Sequence, residues 1–312
     1  MSRIVIALGG NALGDDPAQQ RERIDVAAPA LVGLIAQGHE IIVSHGNGPQ
    51  VGAIALAFEL GSRTSDRVPA MGLPECTAMS QGYIGQHLQQ GLARELRRQG
   101  MPWHVATVVT QMEVDADDPA LRRPTKPIGG FYPEEEAHAL MAADPQTVLA
   151  PDAGRGWRRM VPSPRPVAIV ERDSILNLLD HEFIVIACGG GGVPVVRDSD
   201  GDLRSVAAVV DKDFASARLA DAVDADHLVV LTAVDRVCVG WGTPEQRALD
   251  DLDLATAREH LARGEFAAGS MGPKVQAAVD FVAAGPGRRA VICALEDAPL
   301  AMSGGAGTRI HA

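Results

Sequence analysis

The chain has 312 residues, of which 46% are hydrophobic and 22% charged, so it is long enough for one large α/β domain or two smaller ones. Its formal net charge of −12 argues against a general nucleic-acid binder, and an anionic ligand would need local positive groups. No apolar run reaches the roughly 18 residues of a membrane span, and the chain opens into a strand pattern without a signal peptide, which predicts a cytoplasmic protein.

Three predicted strands end in glycine-rich loops. The strand at 3–8 leads into Gly9, Gly10 and Asn11, the strand at 41–44 leads into Gly46, Asn47 and Gly48, and the strand at 183–188 leads into Gly189–Gly192. Parallel strands place their carboxyl ends at one edge of a sheet, where ligands bind, and glycines let a ligand approach main-chain N–H groups. These loops therefore predict a phosphate cradle in which the first two supply backbone donors.

The first half of the chain alternates strands and helices. Residues 21–37 carry apolar side chains at helical spacing, so residues 3–44 predict a right-handed parallel βαβ unit. A helix is expected from Pro49 to about Leu60, followed by a polar loop at 61–75. A long helix at 76–98 and a strand at 104–110 complete this half.

Residues 115–166 have a different composition. Nine of the 20 prolines lie between Pro119 and Pro166, and a buried sheet does not accommodate so many. We interpret the stretch as a subdomain or lid inserted in a single 1–312 domain. Tyr132 and Trp157 provide large side chains that can pack, so we expect this stretch to be ordered.

The α/β pattern resumes after Pro166. The predicted strands are 167–171, 183–188, 193–197, 227–232, 236–239, 290–295 and 307–310, and the predicted helices are 172–181, 213–222, 253–263 and 273–284. The neighbouring strands 227–232 and 237–239 are compatible with a hairpin beside a pocket and equally with a plain surface turn.

The cysteines and histidines show no metal-binding pattern. Cys76, Cys188, Cys238 and Cys293 are scattered, and we expect small buried hydrophobic side chains in a reducing compartment. His45 borders a glycine loop, where a structural role is favoured over ligation.

The lysines point to a phosphoryl site. Of 28 basic residues only three are lysine, namely Lys126, Lys212 and Lys274, and each sits in an unusual local sequence. A compact ammonium fits a tight site on a phosphoryl oxygen where the broad guanidinium of arginine does not. Lys212 and Lys274 would supply mobile charge, and Asp213 would orient lysines or help to hold Mg²⁺. As neighbours in a strand, Lys212 and Asp213 would point to opposite faces and need not touch.

Ten short motifs occur in order along the whole chain, at 7–13, 45–52, 79–85, 124–129, 156–159, 161–164, 187–192, 211–213, 242–246 and 269–274. The Walker A pattern and the protein-kinase signatures are absent. Together these motifs resemble the carbamate kinases of the amino acid kinase superfamily.

The resemblance implies a fold, a reaction and site residues. The fold would be a three-layer αβα sandwich with a mainly parallel central sheet and a small protruding subdomain, assembled as a homodimer. The reaction would be reversible phosphoryl transfer between ATP and carbamate with Mg²⁺, in ATP-forming catabolism of arginine or purines. The catalytic residues would be Lys212, Asp213, Lys274 and, on the protruding subdomain, Lys126. The nucleotide would contact Thr232, Val234, Gly242, Thr243, Ser270 and Met271.

One stretch departs from the family pattern, and two other functions stay open. Ala233 and Arg236 replace an acidic residue and a glycine near the expected nucleotide site. The alternatives are an acyl-phosphate kinase acting on another small carboxylate, such as oxamate or an amino acid, and a catalytically silent regulator that binds a nucleotide or anion. Retention of all three lysines argues against the regulator.

Overall fold

The structure is a computed structural model that describes residues 2–9, 13–14, 16–145, 147–152, 154–267 and 269–312. The strands are β1 (Arg3–Leu8), β2 (Glu40–His45), β3 (His104–Thr107), β4 (Gln111–Val114), β5 (Lys126–Tyr132), β6 (Leu149–Pro151), β7 (Trp157–Val161), β8 (Pro166–Ile169), β9 (Phe183–Ile186), β10 (Val193–Arg197), β11 (Leu203–Ser205), β12 (His227–Thr232), β13 (Cys238–Val239), β14 (Arg247–Ala248), β15 (Asp251–Asp253), β16 (Arg289–Ala294) and β17 (Thr308–His311).

The helices are α1 (Pro17–Ala36), α2 (Gly48–Thr64), α3 (Leu73–Arg98), α4 (Glu134–Ala143), α5 (Arg172–Asp180), α6 (Lys212–Ala222), α7 (Leu254–Ala262), α8 (Met271–Ala283) and α9 (Ala298–Met302), with 3-10 turns at Pro119–Arg122 and Gly189–Gly191. Among the described residues, no helix is long and apolar enough to cross a membrane.

An eight-stranded sheet forms the centre of the molecule, in the order β15-β17-β16-β12-β1-β2-β9-β3. Its pairings are parallel except for β16 with β17. The three strands that precede the glycine-rich loops, β1, β2 and β9, are direct neighbours. Their carboxyl ends therefore meet at one edge, as the sequence predicts.

Alternating side chains of the central strands bury two separate faces. In β1, Ile4, Ile6 and Leu8 pack with α1, α3 and α9, whereas Val5 and Ala7 pack with α5, α6, α7 and α8. Since side chains alternate along a strand, an apolar residue at every position requires helices on both faces. The predicted three-layer αβα sandwich is confirmed.

Several predicted boundaries are wrong, and the structure contains a second sheet that the sequence does not predict. Helix α2 continues to Thr64 and α3 begins at Leu73, so the predicted 61–75 loop is much shorter. The strands predicted at 167–171 and 193–197 do not join the central sheet but form a second sheet in the order β11-β10-β4-β8. Positive φ angles at Gly190, Gly191 and Gly192 (64°, 95° and 83°) turn the chain away from the central sheet after β9.

The proline-rich stretch contains its own antiparallel sheet, in the order β5-β7-β6, together with α4. The two prolines within the strands of this sheet, Pro127 and Pro151, lie on the edge strands, while the central strand β7 has none. A proline has no N–H to donate to a ladder, so an edge strand accommodates it more readily than a central one. We call this unit the three-stranded sheet.

Close packing contacts hold the three-stranded sheet against the central body. Ile128 and Val161 form a small apolar cluster with Val209, which lies shortly before α6. The backbone of Gly129 lies directly against Gly52 of α2, where an added Cβ would come within 2.0 Å of the Gly129 Cα. The unit is therefore held close to the amino-terminal ends of α2 and α6.

Candidate phosphoryl-transfer site

Lys212 is the first residue of α6. Asp211 is the N-cap residue, and its carboxylate accepts a hydrogen bond from the Asp213 amide at 2.9 Å. Ser216, one turn into the helix, is 2.6 Å from Ser44 of β2, oxygen to oxygen. These contacts fix the start of α6 beside the carboxyl edge of the central sheet, with its positive dipole end at that edge.

Asp213 bridges two of the three lysines. Its Oδ1 accepts from the Lys212 ammonium, and its Oδ2 accepts from the Lys274 ammonium at 2.9 Å. Lys274 lies in the first turn of α8. The side chains of both lysines are 14% exposed and that of Asp213 is 5% exposed, so the group is largely shielded from water.

The expectation that Lys212 and Asp213 need not touch is wrong. Both residues lie in the first turn of a helix, not in a strand, so their side chains are not forced to opposite faces. The Lys212 side chain folds back onto its neighbour. The structure thus brings Lys212, Asp213 and Lys274 into one cluster, which we call the lysine–aspartate cluster.

The lysine–aspartate cluster holds more positive than negative charge and is largely buried. Burial alone would raise the pKa of Asp213, but the Lys212 and Lys274 ammonium groups outweigh it and lower the pKa to about 2. Burial would lower the pKa of Lys212, but Asp213 and Asp211 raise it. Burial and the charge of Lys212 lower the pKa of Lys274 to about 8. The cluster therefore carries one uncompensated positive charge at neutral pH.

Lys126 approaches from the three-stranded sheet but pairs with a different carboxylate. It is the first residue of β5, and its ammonium donates to Asp211 Oδ2. Its side chain is 33% exposed, more than those of the other two lysines. Asp211 and Asp213 are separated by one residue of the α6 start, so all three lysines converge on one helix end.

The first two glycine loops begin directly after β1 and β2. Gly9 follows β1, whereas Gly10 and Asn11 lie outside the described residues. The Gly46 N–H donates to the Leu8 carbonyl at 3.1 Å, continuing the β1–β2 ladder. The sheet therefore already uses the Gly46 amide, and the assignment of Gly46 to phosphate binding stays a prediction.

Asn47 and Gly48 begin α2 at the same edge. The buried Asn47 side chain donates to Ser80 Oγ at 2.7 Å, which fixes the residue against α3. Gly190 packs against the Asn47 side chain, and a Cβ there would come within 2.1 Å of Asn47 Nδ2. The start of α2 therefore lies beside the Gly189–Gly192 loop.

His45 has a structural environment. Burial lowers its pKa to about 4, although the contact with the Gly46 carbonyl opposes the shift. Its Nδ1 is 3.0 Å from that carbonyl oxygen, and a Cβ at Gly189 would lie 2.4 Å from Nε2. The ring is neutral and tightly enclosed at neutral pH.

The predicted nucleotide residues fall on three separate parts of the chain. Thr232 ends β12 and Val234 follows it, while Ser270 and Met271 begin α8, the helix of Lys274. Gly242 and Thr243 lie in an exposed turn. The possible hairpin of 227–232 with 237–239 does not form, because β12 pairs within the central sheet and β13 pairs with β14 instead.

Arg236, one of the two residues that depart from the family pattern, pairs with a nearby carboxylate. Arg236 forms an ion pair with Asp250 at 3.0 Å, and both side chains are substantially exposed. The arginine is thereby directed toward the start of β15. Ala233, the other departure, is exposed in the turn after β12.

Sequence reasoning missed two residues that support the site. Asp211 holds Lys126 and Ser80 holds Asn47, yet neither was selected as a site residue. The available signal for Asp211 was its place before a predicted helix, where aspartate is a favoured N-cap. No sequence signal pairs Ser80 with Asn47, which lies 33 positions away.

The chain belongs to the amino acid kinase family, whose sequence profile matches residues 2–294. It is 50% identical over 308 residues to the carbamate kinase-like protein YqeA of Escherichia coli, covering 99% of this chain and 98% of that protein. It is 47% identical over 313 residues to a carbamate kinase of Clostridium perfringens, covering 99% of both. The structure of the Giardia lamblia carbamate kinase bound to AMP-PNP superposes with a TM-score of 0.90 at 42% identity, covering 99% of this chain and 98% of that one. The resemblance indicated by the motifs is confirmed.

Proposed function

We propose that the protein is a carbamate kinase, which transfers a phosphoryl group reversibly between ATP and carbamate to give ADP and carbamoyl phosphate. The lysine–aspartate cluster at the carboxyl edge of the central sheet carries this proposal. The names of the relatives, at 47–50% identity over nearly the whole chain, support carbamate as the acceptor.

The chemistry requires charge stabilisation more than proton transfer. A carbamate oxygen forms a bond to the γ-phosphorus while the bond between that phosphorus and the β–γ bridging oxygen breaks. Carbamate is already an anion, so its attacking oxygen has no proton to lose. The negative charge spread over the transferring oxygens needs fixed positive groups, which Lys212 and Lys274 provide. Asp213 keeps both ammonium groups in place.

The proposed cofactors are ATP or ADP with Mg²⁺. Bound Mg²⁺ would neutralise negative charge on the phosphates. Both oxygens of Asp213 are already occupied by ammonium groups, so Asp213 fits the orienting role better than that of a metal ligand. Within the described residues, no group of three His, Cys, Asp or Glu side chains is suited to a metal ion. We therefore assign Mg²⁺ to the nucleotide phosphates, with Thr232, Val234, Gly242, Thr243, Ser270 and Met271 as the proposed nucleotide contacts.

We propose that the protein is a homodimer, as the resemblance implies, and sedimentation of the purified protein would test this.

We further propose that residues near 115–166, which contain the three-stranded sheet, act as a lid on the single domain. Lid closure would exclude water from the transferring group.

The decisive experiment is ATP formation from ADP and an acyl phosphate. A carbamate kinase is expected to form ATP from carbamoyl phosphate far faster than from acetyl phosphate or other acyl phosphates. A preference for another acyl phosphate would indicate a kinase for a different carboxylate. Binding of ADP without ATP formation from any of them would indicate the regulator instead.

The pKa of Lys274 sets an expected pH limit. The ammonium form interacts with phosphoryl oxygens, and with a pKa of about 8 it is lost as the pH rises through 8. We expect kcat/KM for carbamoyl phosphate to fall about tenfold per pH unit above that pKa. Arginine stays charged at this pH, so the residual activity of Lys274→Arg should not show this decrease. The same decrease in the variant would assign the pH dependence to another group.

Ligand binding is expected to slow hydrogen exchange in the lid. ADP together with a mimic of carbamoyl phosphate should protect backbone amides of residues 125–161 while leaving α1 unchanged. The physical reason is that the three-stranded sheet is attached to the body by the small Ile128, Val161 and Val209 cluster, by the Gly52–Gly129 contact and by the Lys126–Asp211 pair. Ligand contacts would add to this attachment. Equal exchange with and without the ligands would contradict a lid.

A further inference from the structure

The carboxylate of Asp211 joins two distant parts of the molecule. Its Oδ1 accepts from the Asp213 amide and closes the first turn of α6, and its Oδ2 accepts from the ammonium of Lys126, 85 positions earlier. The Asp211 side chain is only 8% exposed. The pair is therefore less screened by water and salt than a surface ion pair.

The backbone around Asp211 is fixed independently of Lys126. The Val210 carbonyl packs against Gly191, where a Cβ would come within 2.1 Å of the carbonyl oxygen. The Ser216 hydroxyl of α6 lies 2.6 Å from Ser44 Oγ of β2, which fixes the helix start against the central sheet. Asp211 thus has a defined position, whereas the lysine reaches it through a flexible four-carbon chain. The Asp211 carboxylate therefore sets the position of the Lys126 ammonium.

We infer that Asp211 is a positioning residue that holds the Lys126 ammonium beside the lysine–aspartate cluster before substrate arrives. An ammonium has three N–H donors, so Lys126 can keep one on Asp211 and offer another to an oxygen of the acyl phosphate. Holding a donor in place in advance removes the cost of ordering it during binding. This inference deepens the proposed function and rests on it for its kinetic test.

The kinetic test replaces Asp211 by asparagine. Asparagine has the same shape and caps helices equally well, but it lacks the charge that holds Lys126. We expect Asp211→Asn to raise KM for carbamoyl phosphate by roughly tenfold to a hundredfold, the range for a lost hydrogen bond between charged groups, with a smaller effect on kcat. Lys126→Met should raise KM similarly, and the double variant should be no worse than Lys126→Met alone.

A matched control separates charge from capping. Asp253 is the N-cap of α7, where its carboxylate accepts from the Thr256 amide at 2.9 Å. Asp253→Asn removes the same charge from the same kind of position and should leave both kinetic constants unchanged. If Asp211→Asn failed to fold, Asp211→Ser would replace it, since serine is also a good N-cap.

A second measurement does not depend on enzyme activity. The chain has three lysines, so an amine-selective reagent followed by mass spectrometry reports each of them separately. Asp211→Asn should increase labelling of Lys126 several-fold relative to Lys212 and Lys274. Unchanged labelling, or KM effects that multiply in the double variant, would overturn the inference. A wild-type protein without ATP formation would refute the proposed function, while the labelling result would still decide the role of Asp211.

Discussion

Replacing Lys212 or Lys274 by arginine is expected to lower turnover by about a hundredfold or more while the protein still folds. Both side chains are 14% exposed and share one carboxylate, so the guanidinium cannot occupy the ammonium position without displacing its neighbours. A misplaced donor loses transition-state stabilisation, about 3 kcal/mol for one donor in comparable sites, which corresponds to roughly a hundredfold in rate. The measurement is kcat for ATP formation from ADP and carbamoyl phosphate.

Two further variants test whether the loss of turnover is specific to Lys212 and Lys274. Lys126→Arg should act more on KM than on kcat, since Lys126 is on the three-stranded sheet and can also bind the ground state. The reverse exchange Arg204→Lys, at an exposed ion pair with Asp198, should change neither constant. If Lys212→Arg and Lys274→Arg both folded with near wild-type turnover, the electrostatic role of the lysines would be refuted and the regulator would gain support.

The central sheet could be predicted because its signals are local. Each strand of the β1, β2 and β9 group is a short apolar run that stops at glycines, and an apolar residue at nearly every position indicates a sheet covered by helices on both faces. The second sheet could not be predicted in this way. Its strand β4 is a short polar–apolar alternation, and β10 resembles the apolar strands of the central sheet. The separation of β10 from that sheet depends on the turn that Gly190, Gly191 and Gly192 impose.

The site was predictable in its residue types but not in its pairings. The scarcity of lysine singled out Lys126, Lys212 and Lys274 without any structure. Which carboxylate each one meets depends on where α6, α8 and β5 are brought together, and contacts across 61 and 85 positions leave no periodic trace in the sequence. The amide of Gly46 shows the same limit, because only the β1–β2 register reveals that it is already bonded.

Replacing Gly52 by alanine is expected to displace the three-stranded sheet and with it Lys126. Alanine normally stabilises a helix relative to glycine by up to about 1 kcal/mol. At this position the added Cβ would lie 2.0 Å from the Gly129 Cα and 2.4 Å from the Gly129 nitrogen, which are backbone atoms that cannot rotate away. Either β5 moves off α2 or the close packing is strained, at a cost of roughly 1–3 kcal/mol.

The expected result combines stability and kinetics. The free energy of unfolding should fall instead of rising, and KM for carbamoyl phosphate should increase at least about tenfold, the effect of roughly 1.4 kcal/mol of lost binding, because Lys126 lies three residues before Gly129 on the same strand. Gly82→Ala is the matched control, since Gly82 is an exposed glycine of α3 with no atom within 4 Å of the added Cβ. That variant should be as stable as the wild type or slightly more so, with unchanged KM. Wild-type stability and KM in Gly52→Ala would show that the contact between α2 and β5 does not seat Lys126.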